Sequence, residues 1–442
     1  MLKDLTNKVS AFPLVRPIGR VQTVSAGLIG ISGLIKFARI GDRVEIVRKS
    51  GEPICAEIVK ILDQLAFALP DTAPDSVSHC DLVRLQNARQ FAPSEDWLGR
   101  VVDPFGSFID GKRVPTTGVG RSVFAAPPNP ANRRGFGKRM NTGLAALNTF
   151  LPIVEGQRIG LFAGSGVGKS TLLSMLAKNV EVDVIVVALV GERGRELRDF
   201  VSDVLGPDHL KRSVIVAATS DQAATVRRRC IWSAMTIAEY FRDKERSVLF
   251  LADSITRFAE AHREVAGSIG ELPALRGFPP SVSSLLAGLC ERAGPGGYTQ
   301  GDITAVFTVL VAGSDQDEPV SDIVRGILDG HIVLDREIAE RSRFPAIDLL
   351  RSVSRSLPAA ANDHEGKVLK HARALVSRYE KSETMVNAGL YKAGSDPMLD
   401  QAIAFWPEFE TFMSMCAEES VENSFDKLKL ILRKVGCVVE KS

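Results

Sequence analysis

The sequence predicts an α/β core with a small β-barrel before it and a helical region after it, and three observations carry that prediction. Between residues 143 and 356, apolar runs at 158–162, 183–189, 213–217, 247–251 and 303–311 alternate with helical patterns. Runs that are apolar throughout fit parallel strands covered by helices on both faces. Upstream, short alternating runs broken by Gly27, Gly30, Gly33, Gly51 and Pro53 have the spacing of a small barrel. Downstream of Asp363 the strand signal stops, and apolar residues fall at helical spacing.

Taken in order, residues 1–18 are mixed, interrupted by Pro13 and Pro17, and read as a flexible or partner-facing arm. Residues 19–95 are assigned to the barrel, where Arg43 to Val47 alternate after the Gly41-Asp42 turn. Up to residue 86 its aromatics are Phe37 and Phe67, too few for a base-stacking platform, so a structural collar is expected. The Gly- and Pro-rich stretch 87–141, with Pro127, Pro128 and Pro130, reads as a linker into the main domain, which is assigned to 96–362. In the helical domain, 363–442, Val368, Leu369, Ala372, Leu375, Val376 and Tyr379 share one helix face. Asp396-Pro397 reads as a cap followed by proline at the first helical position, and Phe425, Leu428, Leu432 and Val435 share a face of the last helix.

The chemistry concentrates at Ala163-Gly164-Ser165-Gly166-Val167-Gly168-Lys169-Ser170-Thr171. The stretch follows an apolar strand and opens an apolar-periodic helix, which is the layout of a phosphate-binding loop. Gly164, Gly166 and Gly168 let the backbone N–H groups turn inward, and the helix N-terminus adds a positive field. Lys169 is expected to reach the β- and γ-phosphates, and the Ser170 hydroxyl to ligate Mg²⁺. Ala163 stands where the strict pattern has glycine; a small residue suffices there.

Two further apolar strands end in carboxylates. Asp253 closes 248–253, where it either orients Mg²⁺ through its water shell or caps the following helix; the loop upstream favours the metal. Glu192 follows 187–190 and is preferred to Glu196 as a group polarising the attacking water, because it sits nearest the strand end. The residues alone leave this reading even with a solvated helix start in which Glu and Arg pair.

Composition narrows the partners. Over 442 residues, 45% are hydrophobic and the formal charge is +2, which gives no electrostatic case for nucleic acid. The six cysteines (Cys55, Cys80, Cys230, Cys290, Cys416, Cys437) lack Cys-x-x-Cys spacing and read as reduced and mostly buried, with neither disulfides nor zinc. No apolar run reaches about 18 residues and the first ten lack a signal core, so a cytoplasmic protein is expected.

Together, Gly191-Glu192-Arg193-Gly194-Arg195-Glu196, Asp253-Ser254-Ile255-Thr256-Arg257-Phe258-Ala259 and Arg276-Gly277-Phe278-Pro279-Pro280-Ser281 resemble the rotary-type ATPases related to the catalytic subunit of F-type ATP synthase. Pro127-Pro128-Asn129-Pro130, the run from Val324 to His331, the segment from Phe344 to Arg355 and Gly394-Ser395-Asp396-Pro397 are similar to the type III secretion branch, and within it to the flagellar protein export ATPases. The resemblance runs collinearly from about residue 19 to 415. It implies a RecA-like nucleotide domain between barrel and helical domain, assembled as a homohexamer that hydrolyses ATP with Mg²⁺ as cofactor. It makes Lys169, Glu192 and Arg193 catalytic, and makes Arg355 the arginine that a neighbouring subunit inserts against the γ-phosphate. Phe344 matches the aromatic that packs on adenine, with Tyr391 as a second candidate for that pocket. The implied partners are a regulator of the export apparatus, a stalk and chaperone–substrate complexes, with peripheral association at a membrane export gate on the inner face of the cytoplasmic membrane. Residues after about Glu418 are expected to face this machinery. Competing readings are the ATPase of a virulence-type secretion system, an ATP synthase catalytic subunit, an RNA-dependent ring helicase and a noncatalytic nucleotide-binding subunit.

Overall fold

Alternation in the N-terminal strands resolves into a closed barrel. Strands β1 (Ile18–Ser25), β2 (Leu28–Ser32), β3 (Arg43–Val47), β4 (Ile54–Leu62), β5 (Leu65–Pro70) and β6 (Leu82–Leu85) join in the order β1-β2-β5-β4-β3-β6. In β3, Val44 and Ile46 point inward and are fully buried, while Arg43, Glu45 and Val47 are only partly covered. Closure leaves no free sheet edge. The computed structural model describes residues 16–25, 27–49, 51–86, 91–111, 118–311, 318–415 and 420–437. Most of the expected arm, Cys416 and the last five residues lie outside these.

The core is an eight-stranded sheet built from β7 (Arg100–Val102), β8 (Arg158–Ala163), β9 (Val184–Glu192), β10 (Ser213–Thr219), β11 (Val248–Asp253), β12 (Ile303–Leu310), β13 (Gly330–Leu334) and β14 (Ile347–Ser354). Their order is β14-β13-β8-β12-β11-β9-β10-β7. All neighbours are parallel except β13 and β14. The five expected runs all became strands of this sheet. The first eight residues of β9 are buried, because apolar clusters cover both faces of the sheet. One face carries helix α1 (Lys169–Asn179) and the C-terminal helices; the other carries α2 (Ala224–Arg242) and α3 (Ile255–Ser268).

The stretch read as a linker is partly core, and this corrects the sequence reading. Within it, Trp97 is buried and edge-on to Phe91 and Phe108 at 5.3 and 5.6 Å, and β7 pairs with β10. A three-residue strand is too short to show a period, and its burial comes from scattered aromatics. The cysteines are also corrected: of the five described, all free, only Cys230 and Cys290 are buried, and Cys80 is exposed.

The helical region comprises α4 (Asp363–Asn387), α5 (Pro397–Met413) and α6 (Val421–Lys434). Asn362 and Glu365 form a reciprocal cap on α4, and Asp396 accepts from the backbone N–H groups of Met398 and Leu399 at 2.9 and 3.2 Å to start α5. Phe409 and Phe412 meet Phe150 of the core edge-on at 6.0 and 6.2 Å, so the region shares one apolar cluster with the sheet. At the other end, buried Glu57 of the barrel accepts from Arg228 of α2 at 2.8 Å.

Candidate active site

Parallel strands bring their C-terminal ends to one edge of the sheet, and β8, β9 and β11 deliver the expected residues there. Ala163 is the buried last residue of β8 and accepts from the Val311 N–H at 3.0 Å. The chain then turns through Gly166 and Gly168, both with positive φ (77° and 90°), into α1. A side chain would strain either position, so glycine is required for the loop to curl before the helix starts. Ser165 and Gly166 are exposed, and Ser170 and Thr171 open the helix beside Lys169.

Across the edge, Asp253 ends β11 and is buried. Its Oδ1 accepts from the Lys169 ammonium and from the Thr308 hydroxyl, the latter at 2.7 Å. Ser254 caps α3 through the Arg257 N–H at 3.2 Å, so the helix-capping alternative weighed for Asp253 belongs to its neighbour. Lys169, Ser170, Glu192, Glu196 and Asp253 line one cleft of ≈ 240 Å³, closed by Leu189, Phe200 and Val204. A second cleft, ≈ 290 Å³, lies on the other side of the loop, between Ala163–Ser165 and Asp335, Arg336 and Arg351.

Glu192 is the last residue of β9 and half-buried. Burial pushes its carboxyl up to about 8, helped by a hydrogen bond with Glu196 and the like charge of Asp253 and opposed by Lys169. Glu196, one helical turn on, is held below the usual carboxylate range, first by that same hydrogen bond and then by Arg193 and Lys169 against its own burial. The two carboxyl groups therefore share one proton at neutral pH, with Glu192 as its holder.

The remaining expected residues are spread out. Arg193 is exposed at the start of the helix after β9. The Phe344 ring lies against the loop: a Cβ on Gly168 would meet it at 3.3 Å. Tyr391 is not at the loop; its hydroxyl donates to Asp396 O and Asp400 Oδ1 at 3.0 and 2.8 Å, at the start of α5. Arg355 is at the opposite end of the sheet. It follows β14, beside Gly330 at the start of β13, and its guanidinium donates to Arg325 O at 3.3 Å. Since Leu334 at the other end of β13 is the residue level with Ala163, the strand alone separates Arg355 from the loop by about 13 Å. Thr308 was not anticipated. The signal was one of two hydroxyls, with Thr304, in a strand otherwise apolar, Ile303–Leu310.

Donors at the cleft are hard oxygens, the Asp253 carboxylate and the Ser170 hydroxyl, with Asp253 Oδ2 free of hydrogen bonds among the described residues. That set suits Mg²⁺. Among the described residues, no helix is long and apolar enough to cross a membrane.

Residues 143–354 match the ATP synthase alpha/beta family, nucleotide-binding domain, and residues 361–429 match the T3SS EscN ATPase C-terminal domain. The chain is 44% identical to the flagellum-specific ATP synthase of Caulobacter vibrioides over 94% of its own length and 96% of the relative. It is 39% identical to that of Salmonella typhimurium over 98% of both. Among solved structures, the assembled ATPase EscN from the enteropathogenic E. coli type III secretion system superposes with a TM-score of 0.87 at 36% identity, covering 94% of this chain and all of that one. EscN in complex with its central stalk EscO superposes at 0.84 with the same identity and coverage.

Proposed function

The chain belongs to the family of flagellum-specific ATP synthases and type III secretion ATPases, and from that membership we propose that it hydrolyses MgATP as a ring to energise export of flagellar proteins. One observation carries the catalytic part: Lys169 at the start of α1 and Asp253 and Glu192 at two strand ends line a single cleft beside a glycine-rich loop. The loop amides and Lys169 hold the β- and γ-phosphates. Ser170 and Asp253 would hold Mg²⁺, which would supply charge neutralisation to the phosphates. Lys169 exchanges its carboxylate partner for phosphate oxygens as nucleotide enters. Glu192, once its proton passes to Glu196 or solvent, takes the proton of the attacking water. Arg193, exposed at the rim, adds positive charge near the phosphates. Phe344 packs on adenine beside the loop; Tyr391, tied up at the α5 cap, has the weaker claim.

Arg355 is too far from its own loop to act in cis, which supports action on the neighbour's nucleotide in a ring of six. EscN was solved assembled and with a stalk, and the same architecture supports self-association and a stalk partner here. A regulator, chaperone–substrate complexes and peripheral association with a membrane export gate at its cytoplasmic face extend the same reading. The virulence-type reading rests on EscN at 36% identity and on a type III secretion ATPase of pathogenic bacteria at 40% over 77% of this chain, whereas flagellar relatives match at 39–44% over 94–98% of it. Low net charge and two barrel aromatics weigh against an RNA helicase.

The test is phosphate release with excess MgATP. Lys169→Ala is expected to lower kcat on the order of 10²–10³-fold, the cost of removing one preorganised charge at a transition state. Glu192→Gln is expected to bind ATP without turning it over; full turnover by this variant removes Glu192 from the mechanism.

A further inference from the structure

A cavity of ≈ 430 Å³, larger than either cleft beside the phosphate loop, opens between the barrel and the core. That volume is within the ~300–1,000 Å³ of small-molecule sites. Four arginines and three aspartates line it, and a fourth aspartate, Asp243, reaches Arg121 from outside the lining. Most of these are already satisfied. Arg43 pairs with Asp71, Arg121 donates to Asp243 at 2.6 Å, and Asp103 accepts from the Phe105 and Ser107 N–H groups at 2.8 Å each.

Two arginines remain, Arg39, exposed at the rim, and Arg229 on α2, which lies deeper. Its guanidinium lies over two ring faces, Phe105 at 5.1 Å and Phe124 at 5.5 Å. Its Nε is buried without a hydrogen-bond partner, and among the described residues no carboxylate lies within ion-pair distance of it. Its neighbour Arg228, by contrast, takes Glu57 at 2.8 Å. A half-buried guanidinium whose Nε–H lacks an acceptor is costly, and aromatic faces satisfy its charge but not that N–H. At the mouth Phe124 is 46% exposed and Ile40 69%, beside exposed Arg39.

We propose that this cavity is a ligand site in which Arg229 binds a carboxylate whose adjoining apolar group packs against Phe105 and Phe124. The planar fork of the Arg229 guanidinium matches a carboxylate in two-point fashion. The carboxylate comes from a free small acid or from an acidic side chain next to an apolar residue in a partner segment. Because barrel and core both wall the cavity, occupancy ties the two together and stabilises the folded chain.

The experiment is titration of the full chain, by calorimetry, with 4-phenylbutyrate, its neutral amide 4-phenylbutanamide, and the capped dipeptide acetyl-Phe-Glu-amide. Binding of the acid that weakens with salt, with the amide weaker by about tenfold or more, is expected from a charge-assisted bond. Arg229→Gln is expected to weaken the acid by a similar factor, Arg229→Lys to restore part of it, and Phe124→Ala to weaken acid and amide alike. Binding of phenylbutyrate alone identifies a free acid as the source, and binding of the dipeptide alone identifies a partner segment; competition between them supports both. Equal binding of acid and amide by the wild-type chain, no binding of either carboxylate, or binding untouched by Arg229→Gln overturns the proposal. The acid–amide comparison needs no variant, so it decides the question even where Arg229→Gln fails to fold.

Discussion

Glu192 and Glu196 are one titrating unit, since they share a hydrogen bond across one turn and sit beside Asp253 and Lys169. Burial is the largest cause of the upward shift at Glu192, and Glu196 the next. A base whose carboxyl is raised to about 8 is protonated at neutral pH in the free enzyme, and only its ionised form can accept a proton. The ratio kcat/KM, which reports the free enzyme, should therefore rise as pH rises through about 8. Glu196→Ala removes the second cause, so the rise should move to lower pH. Steady-state rates from acid to alkaline buffers at subsaturating MgATP check this; an unmoved midpoint would detach Glu196 from the titration. Which of the two glutamates ends the strand was legible from the sequence. That they share a proton was not, because it depends on the helix bending Glu196 back over the strand end.

At the scale of elements, what was legible followed the length of the pattern. Long apolar strands such as β9 and long amphipathic helices such as α4 announce themselves because burial repeats over many residues. β7 has three residues, and β13 and β14 lie among turns and charges, with β14 exposed on alternate stretches at the sheet edge. β7 and β13 owe their strand state to pairing with β10 and β8, far away in sequence, which no local window contains, and β14 is held only by β13. The attachment of the helical region to the core was equally hidden, since Phe150 and Phe412 lie 262 residues apart. Phe412 is fully buried and its loss leaves a cavity in the shared cluster. Phe412→Ala should cost about 3–5 kcal/mol of local stability. Hydrogen exchange is the suitable readout: amides of α5 should open faster while those of β9 keep their protection. Equal acceleration in both would mean that helical region and sheet unfold as one unit.

In the proposed mechanism the chemistry is divided between two ends of one sheet. The phosphate loop, Asp253 and Glu192 occupy the C-terminal edge, and Arg355 sits beside the first residue of β13 at the opposite edge. A closed ring uses such an arrangement directly, because a heterologous interface sets one surface of a subunit against a different surface of the next. The expected signature is complementation. Lys169→Ala subunits supply an intact Arg355, and Arg355→Ala subunits supply an intact loop. Each alone should be inactive, whereas equal mixing should restore about a quarter of the interfaces of a randomly assembled cyclic ring. Specific activity of the unaltered chain should also rise steeply with protein concentration as sites are completed between subunits, and then level off. Activity flat with concentration, together with no recovery on mixing, would mean that each chain carries a complete site and that Arg355 serves only its contact with Arg325. Recovery on mixing without concentration dependence would point instead to rings that persist at every dilution while still sharing their sites.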